Sequence, residues 1–250
     1  MFTVFRKRPR PSAGMRMRYL KDHKVRTRKR ILERASCGLR RKGANGLGVA
    51  ALMKLAGLTH GGFYSHFASR DALVEEAFAT AMDNTAYRWK QLATKLPVEK
   101  RFDSIVAGYL SARHRDDQAH GCALPALAAD IGRSTKKTRR TFASKLEAMI
   151  EVVALQLPDK SPELARQIAT SAIATMMGSI VLARAAGRDQ LSDEILQAGR
   201  TAISRHAHIA AREARAMRAA HDRSALLSDQ ASEINERLSR KMRKADCARG

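Results

Sequence analysis

Between Thr59 and Arg70 the chain reads THGGFYSHFASR. The stretch offers a hydroxyl at Thr59, imidazoles at His60 and His66, a phenol at Tyr64 and a guanidinium at Arg70. Groups of these types bind anions and the hydrogen-bonding edges of a polar partner. Two adjacent glycines, Gly61 and Gly62, sit among them. Each costs a helix interior about 1 kcal/mol relative to alanine. Their use is to keep one face of a short helix low. A backbone can then approach a sugar-phosphate surface while Thr59, His60 and Tyr64 reach it. Packing of Phe63 and Phe67 against neighbouring helices must offset the cost.

The elements that position this stretch follow from periodicity and punctuation. From His23 to Lys42, the residues Val25, Ile31, Leu32, Ala35 and Leu39 form an apolar stripe at helical spacing. Lys24, Arg26, Arg28, Lys29 and Arg30 occupy the remaining surface near its start. Gly43, Asn45 and Gly46 end that helix. A short helix is expected over Val49–Leu55, a turn at Gly57 with positive φ, and a third helix over His60–His66 with Thr59 as its N-cap. Ser69 caps a fourth, which Pro97 ends. Helix, short helix, glycine turn and short helix make a helix-turn-helix, in which the last helix enters the DNA major groove.

The segment Lys24–Thr85 resembles the DNA-binding domain of the TetR family of bacterial transcriptional regulators. The resemblance lies in the basic first helix TRKRIL, in VAALMKLAGLTHGGFYSHF and in the following SRDALVEEAF. The family's helix-three tyrosine, the histidine two residues on and the apolar residue three on are matched by Tyr64, His66 and Phe67. Arg70 stands where a phosphate-holding basic residue commonly follows the next loop. Gly48 replaces the family's usual hydroxyl at the start of helix two. The resemblance implies that Arg28, Lys42 and Arg70 neutralise phosphates, that Thr59, His60 and Gly61 face base edges or the adjacent backbone, and that Gly62 belongs to the same DNA-binding set. Tyr64 would donate its hydroxyl to a phosphate while its ring packs. Structural roles for Tyr64 and His66 remain the alternative.

The charge distribution supports a nucleic-acid partner. The formal net charge is +23. About +14 of it falls on Met1–Lys42, about +4 on Gly43–Ser204 and about +5 on the remainder. The middle is therefore an ordinary helical domain. Residues 1–22 contain RKRPRPSAG and are expected to be a disordered basic extension, with Met15 and Met17 as alternative starts. Residues 223–250 are expected to be a frayed basic tail.

After Pro97 the chain is expected to form only helices: Val98–His114, a short piece over Cys122–Ile131, one capped by Ser134, one opened by Ser161 and Pro162, and one capped by Ser192. The fold class is thus all-α, with a three-helix DNA-binding domain over 24–85 (helix-turn-helix about 48–67) and a helical regulatory and dimerisation domain over 97–222. The family resemblance implies homodimers and a small-molecule effector pocket in this second domain. GCALPALAADIGRS is similar to one subgroup. Trp89, Phe102, Tyr109, Cys122, Met149 and Met176 are the pocket candidates. Ala169, Ala172, Ile173, Met177, Ile180 and Ala183 offer a smooth face for dimerisation, or else form monomer core.

Other chemistries lack support. The three cysteines, Cys37, Cys122 and Cys247, show no CxxC spacing. No GxSxG, P-loop or HExxH occurs, so no catalytic residue, cofactor or metal is expected. His114 and His120 flank Asp116 and Asp117 and read as a polar loop rather than a metal site. Nothing fixes a low pKa for Cys122. Gln167–Ala183 carries no charge, but its Ala, Ser and Thr content suits a buried helix better than a membrane span. The expected protein is a cytoplasmic, dimeric, sequence-specific DNA-binding regulator, a repressor released by a small molecule. The alternative is a non-specific architectural nucleic-acid binder.

Overall fold

The computed structural model describes residues 13–209 apart from 44, 45, 47 and 58, together with 216 and 223. Expectations for 1–12, for most of 210–222, for the basic tail and for Cys247 lie outside the described residues. What is described is helical, with no strand among the described residues.

The first helix, α1 (Ala13–Lys42), starts earlier than the apolar stripe indicated. Residues 13–22, expected to be disordered, are helical. After Gly14 they are mostly Met, Arg, Lys and Leu, straight-chain helix formers that need no apolar stripe. The stripe's register also differs at its start. Val25 is 67% exposed, and Thr27 turns inward with Ile31, Ala35 and Leu39. The short α2 (Val49–Ala56) packs on α1, and α3 (His60–Tyr64) packs on α2. Between them Gly57 closes α2 at φ 70°, ψ 35°, a left-handed conformation that costs other residues about 1 kcal/mol or more. The third helix is shorter than expected: Ser65 folds back, its Oγ donating to the Gly62 carbonyl at 2.7 Å.

Next, α4 (Arg70–Thr94) starts as its cap foretold, the Ser69 hydroxyl accepting the Ala72 N–H at 3.1 Å. This helix is the spine of the molecule. It packs on α1 and on α8 (Lys136–Ala154) along the same stretch, Glu76 meeting α1 and Glu75 meeting α8. Phe78 of α4 stacks on Phe142 of α8 with centroids 5.6 Å apart, and Lys145 Nζ lies 2.7 Å from Asp83 Oδ2.

The helix expected over Val98–His114 is two: α5 (Val98–Tyr109) and α6 (Ala112–Asp116). The cause is Ser111. Its Oγ donates to the Gly108 carbonyl at 2.8 Å and accepts the His114 N–H at 3.2 Å, so it ends one helix and caps the next. After α7 (Leu124–Gly132), Thr135 rather than Ser134 caps α8. The Ser134 hydroxyl is taken by the Ile131 carbonyl at 2.6 Å, and Thr135 Oγ1 accepts the Thr138 N–H at 3.2 Å. Ser161 and Pro162 open α9 (Pro162–Ala186) as expected. The last described helix, α10, covers 190–209. Ser192 is not its cap. It is fully buried and donates to the Ala183 carbonyl at 2.8 Å.

One continuous cluster of buried apolar side chains runs from Ile31 and Phe63 through α4 to Ile180 and Leu196. It joins the N-terminal helices to the C-terminal ones.

Candidate nucleic-acid interface and cavity

Helix α3 presents an edge and buries the rest. Phe63 and Phe67 are in the core, 5.9 Å apart between ring centroids. Tyr64 is 64% exposed, its ring edge-on to Phe63 at 5.1 Å. Thr59 is exposed and extended at the N-cap position, and its hydroxyl makes no capping bond. Gly61 is exposed, with open space where a Cβ would stand, and Gly62 is half-buried. The side chain of His60 lies outside the described residues. Thr59, Gly61 and Tyr64 thus share the accessible end of this helix, held by the two phenylalanines beneath.

The basic residues divide into two sets. Lys42 is exposed in the last turn of α1, and Arg70 is half-buried at the start of α4, 3.8 Å from Asp71. Gly48 is the exposed N-cap of α2 and offers no side chain to that helix's first turn. Arg28 is turned inward. Its Nη2 lies 2.6 Å from both carboxylate oxygens of Glu76, its Nη1 donates to the His66 carbonyl, and its Cζ sits 4.2 Å over the Phe67 ring. The residue expected to neutralise a phosphate instead fastens α1 to α4. The signal for this, an acid on α4, is too far away in sequence for helix periodicity to expose. His66 has a buried Nδ1 without a hydrogen-bond partner. Burial first, then the charges of Lys24, Arg28 and His23, hold its pKa below the ordinary value.

In the C-terminal part, Trp89, Tyr109 and Cys122 line one cavity of about 480 Å³ between α4, α5 and the loop 117–122. The Trp89 and Tyr109 rings meet edge to face at 6.0 Å. Phe102 lines a different, smaller cavity of about 250 Å³. Met149 and Met176 are fully buried core residues and line neither. His114 braces the main cavity. Its Nε2 accepts the Cys122 N–H at 3.0 Å, so its Nδ1 carries the proton and donates to the Tyr109 carbonyl at 2.7 Å. Gly121 permits this closeness, since a Cβ there would stand 2.6 Å from His114 Nε2. Burial pushes the His114 pKa down to about 4 and raises the Cys122 thiol, which keeps that sulfur protonated and poorly nucleophilic. Both His114 nitrogens are engaged and His120 pairs with Asp117 at 2.9 Å, so the polar loop is built from its own hydrogen bonds.

Sequence reasoning missed Arg40, Arg88, Arg113 and Arg184. Arg40, 9% exposed, donates through Nε to the Ala119 carbonyl at 2.6 Å. Arg184 donates to the carbonyls of Arg115 and His114 at 3.1 and 2.9 Å. Arg88 and Arg113 line the cavity. In sequence they are indistinguishable from solvated arginines.

The smooth face of α9 is monomer core. Ala169, Ala172, Ile173, Ile180 and Ala183 are buried and Met177 is half-buried. The dimerisation face assigned to these residues is corrected accordingly: they are spent on the molecule's own interior. The helix is long and apolar enough to cross a membrane, yet only 39% of its most apolar window is buried. Val181 and Leu182 point outward, and so does Leu191 at the start of α10.

Three helices with an exposed third, joined through α4 to a helical domain holding a cavity, define a helix-turn-helix protein with a C-terminal helical domain. Residues 31–77 match the family described as bacterial regulatory proteins, tetR family. No curated protein matches the chain. Among solved structures, a TetR transcriptional regulator from Chloroflexus aurantiacus J-10-FL is 21% identical, with a TM-score of 0.62 over 74% of this chain and 96% of that one. A TetR regulator from Legionella pneumophila is 18% identical, with a TM-score of 0.61 over 70% and 94%. The reduced form of NemR from E. coli is 20% identical, with a TM-score of 0.59 over 71% and 94%. Residues 31–77 thus carry the DNA-binding motif of the tetR family, and the part of the chain aligned with these structures, 70–74% of it, has their fold.

Proposed function

We propose that the protein is a cytoplasmic, homodimeric, sequence-specific regulator, a repressor whose hold on a palindromic operator is relieved by a small-molecule effector. The observation that carries this reading is the loop 117–122. One side of it walls the cavity, where Asp117, His120, Gly121 and Cys122 line the space. The other side holds α1 of the DNA-binding domain through the Arg40–Ala119 bond. A ligand that moves this loop acts on α1 directly, and by linkage the operator acts back on the ligand's affinity.

In this reading residues 24–85 bind DNA and residues 97–222 hold the effector and the partner subunit. Thr59, His60, Gly61 and Tyr64 meet the major groove. Lys42, Arg70 and the uncapped first turn of α2 behind Gly48 take phosphates. Arg28 contributes by fixing α3 against α4. Dimerisation uses the outward face of α9 and α10, with Val181, Leu182 and Leu191, since an apolar patch left open on both helices needs cover.

The test is selection of bound fragments from genomic or random DNA by the purified protein at physiological salt. Recovery of one palindrome that survives competitor DNA is the expected result. Recovery of no preferred sequence, with retention lost on adding salt, overturns the reading in favour of a non-specific architectural binder.

A further inference from the structure

The main cavity has an unequal set of hydrogen-bonding groups. Its acceptors are committed. Both His114 nitrogens are used, as described. The Ser111 hydroxyl donates to Gly108 and accepts from His114. The Thr85 hydroxyl donates to the Ala81 carbonyl at 3.1 Å and accepts Arg88 Nη2 at 3.3 Å. Asp117 supplies the carboxylate among the lining residues, and it is bonded to His120 Nδ1.

Donors remain. Arg88 Nη1 is held by the His120 carbonyl at 2.8 Å, but its Nε makes no bond among the described residues. The Arg113 guanidinium makes none either, and neither arginine has a carboxylate within ion-pair distance among the described residues. The Tyr109 side chain is 5% exposed, and its hydroxyl is buried beside the Cys122 thiol, away from the open space. Burial, then the neighbouring Arg40 charge, depresses the Arg88 pKa, which an anion beside it would relieve. Beside these donors, Leu92, Ile105 and Trp89 give the lining an apolar part.

We propose that this cavity binds a small carboxylate with an apolar, ring-bearing body. The carboxylate is taken by Arg88 and Arg113, and the ring lies against Trp89 and Ile105. The inference rests on reading this cavity as the effector site, but its test does not need DNA.

Trp89 is the sole tryptophan of the chain, so its emission reports on the cavity. The probes are 4-phenylbutyrate and its uncharged amide, titrated at constant ionic strength. The acid is expected to give a saturable change, with the amide about tenfold weaker or more, as for loss of a charged hydrogen bond. Arg113→Gln is expected to weaken the acid by about tenfold and leave the amide unchanged. Arg113 is exposed, so the variant preserves the fold. Equal binding of acid and amide, indifference of the Arg113 variant, or no saturable change with the acid overturns the proposal. Acid binding that does not release operator DNA upholds the ligand class and sinks the effector reading. Release of operator by an uncharged ligand in this cavity, without acid binding, does the reverse.

Discussion

Arg28 and Glu76 are joined by one guanidinium nitrogen that lies 2.6 Å from each carboxylate oxygen. The same guanidinium bonds the carbonyl of His66 and covers the Phe67 ring. Three elements therefore meet on one side chain: α1, the turn after α3, and α4. Arg28→Ala is expected to lower unfolding stability by about 1–2 kcal/mol through the lost charged hydrogen bonds and cation–π contact. Urea denaturation reads this. Unchanged stability together with a shallower salt dependence of DNA binding would instead make Arg28 a phosphate contact.

Gly61 separates stability from binding. No atom stands within 4 Å of a Cβ added there, and the residue is helical. Gly61→Ala is expected to stabilise the domain by about 0.5–1 kcal/mol, because alanine loses less backbone freedom on folding. The same methyl intrudes where α3 approaches DNA, so operator affinity should fall at least several-fold. Thermal melts and gel shifts on one preparation give both numbers. A variant that is more stable and binds equally well would move the DNA-facing edge elsewhere.

His114 makes the fold sensitive to acid. Its folded pKa of about 4 lies below the ordinary 6.5, so the unfolded chain takes up this proton first. The stability it contributes is complete above about pH 6.5 and is lost as pH falls toward 4. The full effect is about 3 kcal/mol by linkage. The experiment is a set of denaturant melts between pH 7 and 4 on the wild type and His114→Gln. The variant should be weaker at pH 7 and should flatten this part of the profile. Parallel profiles would count against the neutral bridge.

The outward face of α9 separates dimerisation from folding. Leu182 and Leu191 are 59% and 58% exposed, whereas Ala172 is buried. Leu182→Glu is expected to give a folded monomer by sedimentation, with circular dichroism unchanged and operator binding weakened. Ala172→Glu should not fold, since it puts an unpaired charge into the core. A Leu182→Glu protein that remains dimeric would place the interface on another surface.

Local chemistry in the sequence determined the elements that end on their own residues. Gly57 stops α2, Ser69 caps α4, and Ser161 with Pro162 opens α9, because each acts on backbone groups within a few positions. The alternation of these stops with Phe63, Tyr64 and Phe67 made the helix-turn-helix legible, and the basic bias pointed to nucleic acid. Tertiary structure alone decided what the arginines do. Arg28 meets Glu76, and Arg40 meets Ala119, across stretches of chain that no periodicity spans. It also decided which face of α9 is core. In the second half of that helix, where Val181 and Leu182 face outward, both faces are apolar, so the sequence supplies no polar side there to mark the outward one. The cavity likewise arises where α4, α5 and the 117–122 loop converge, with His114 using both nitrogens to tie that loop to α5.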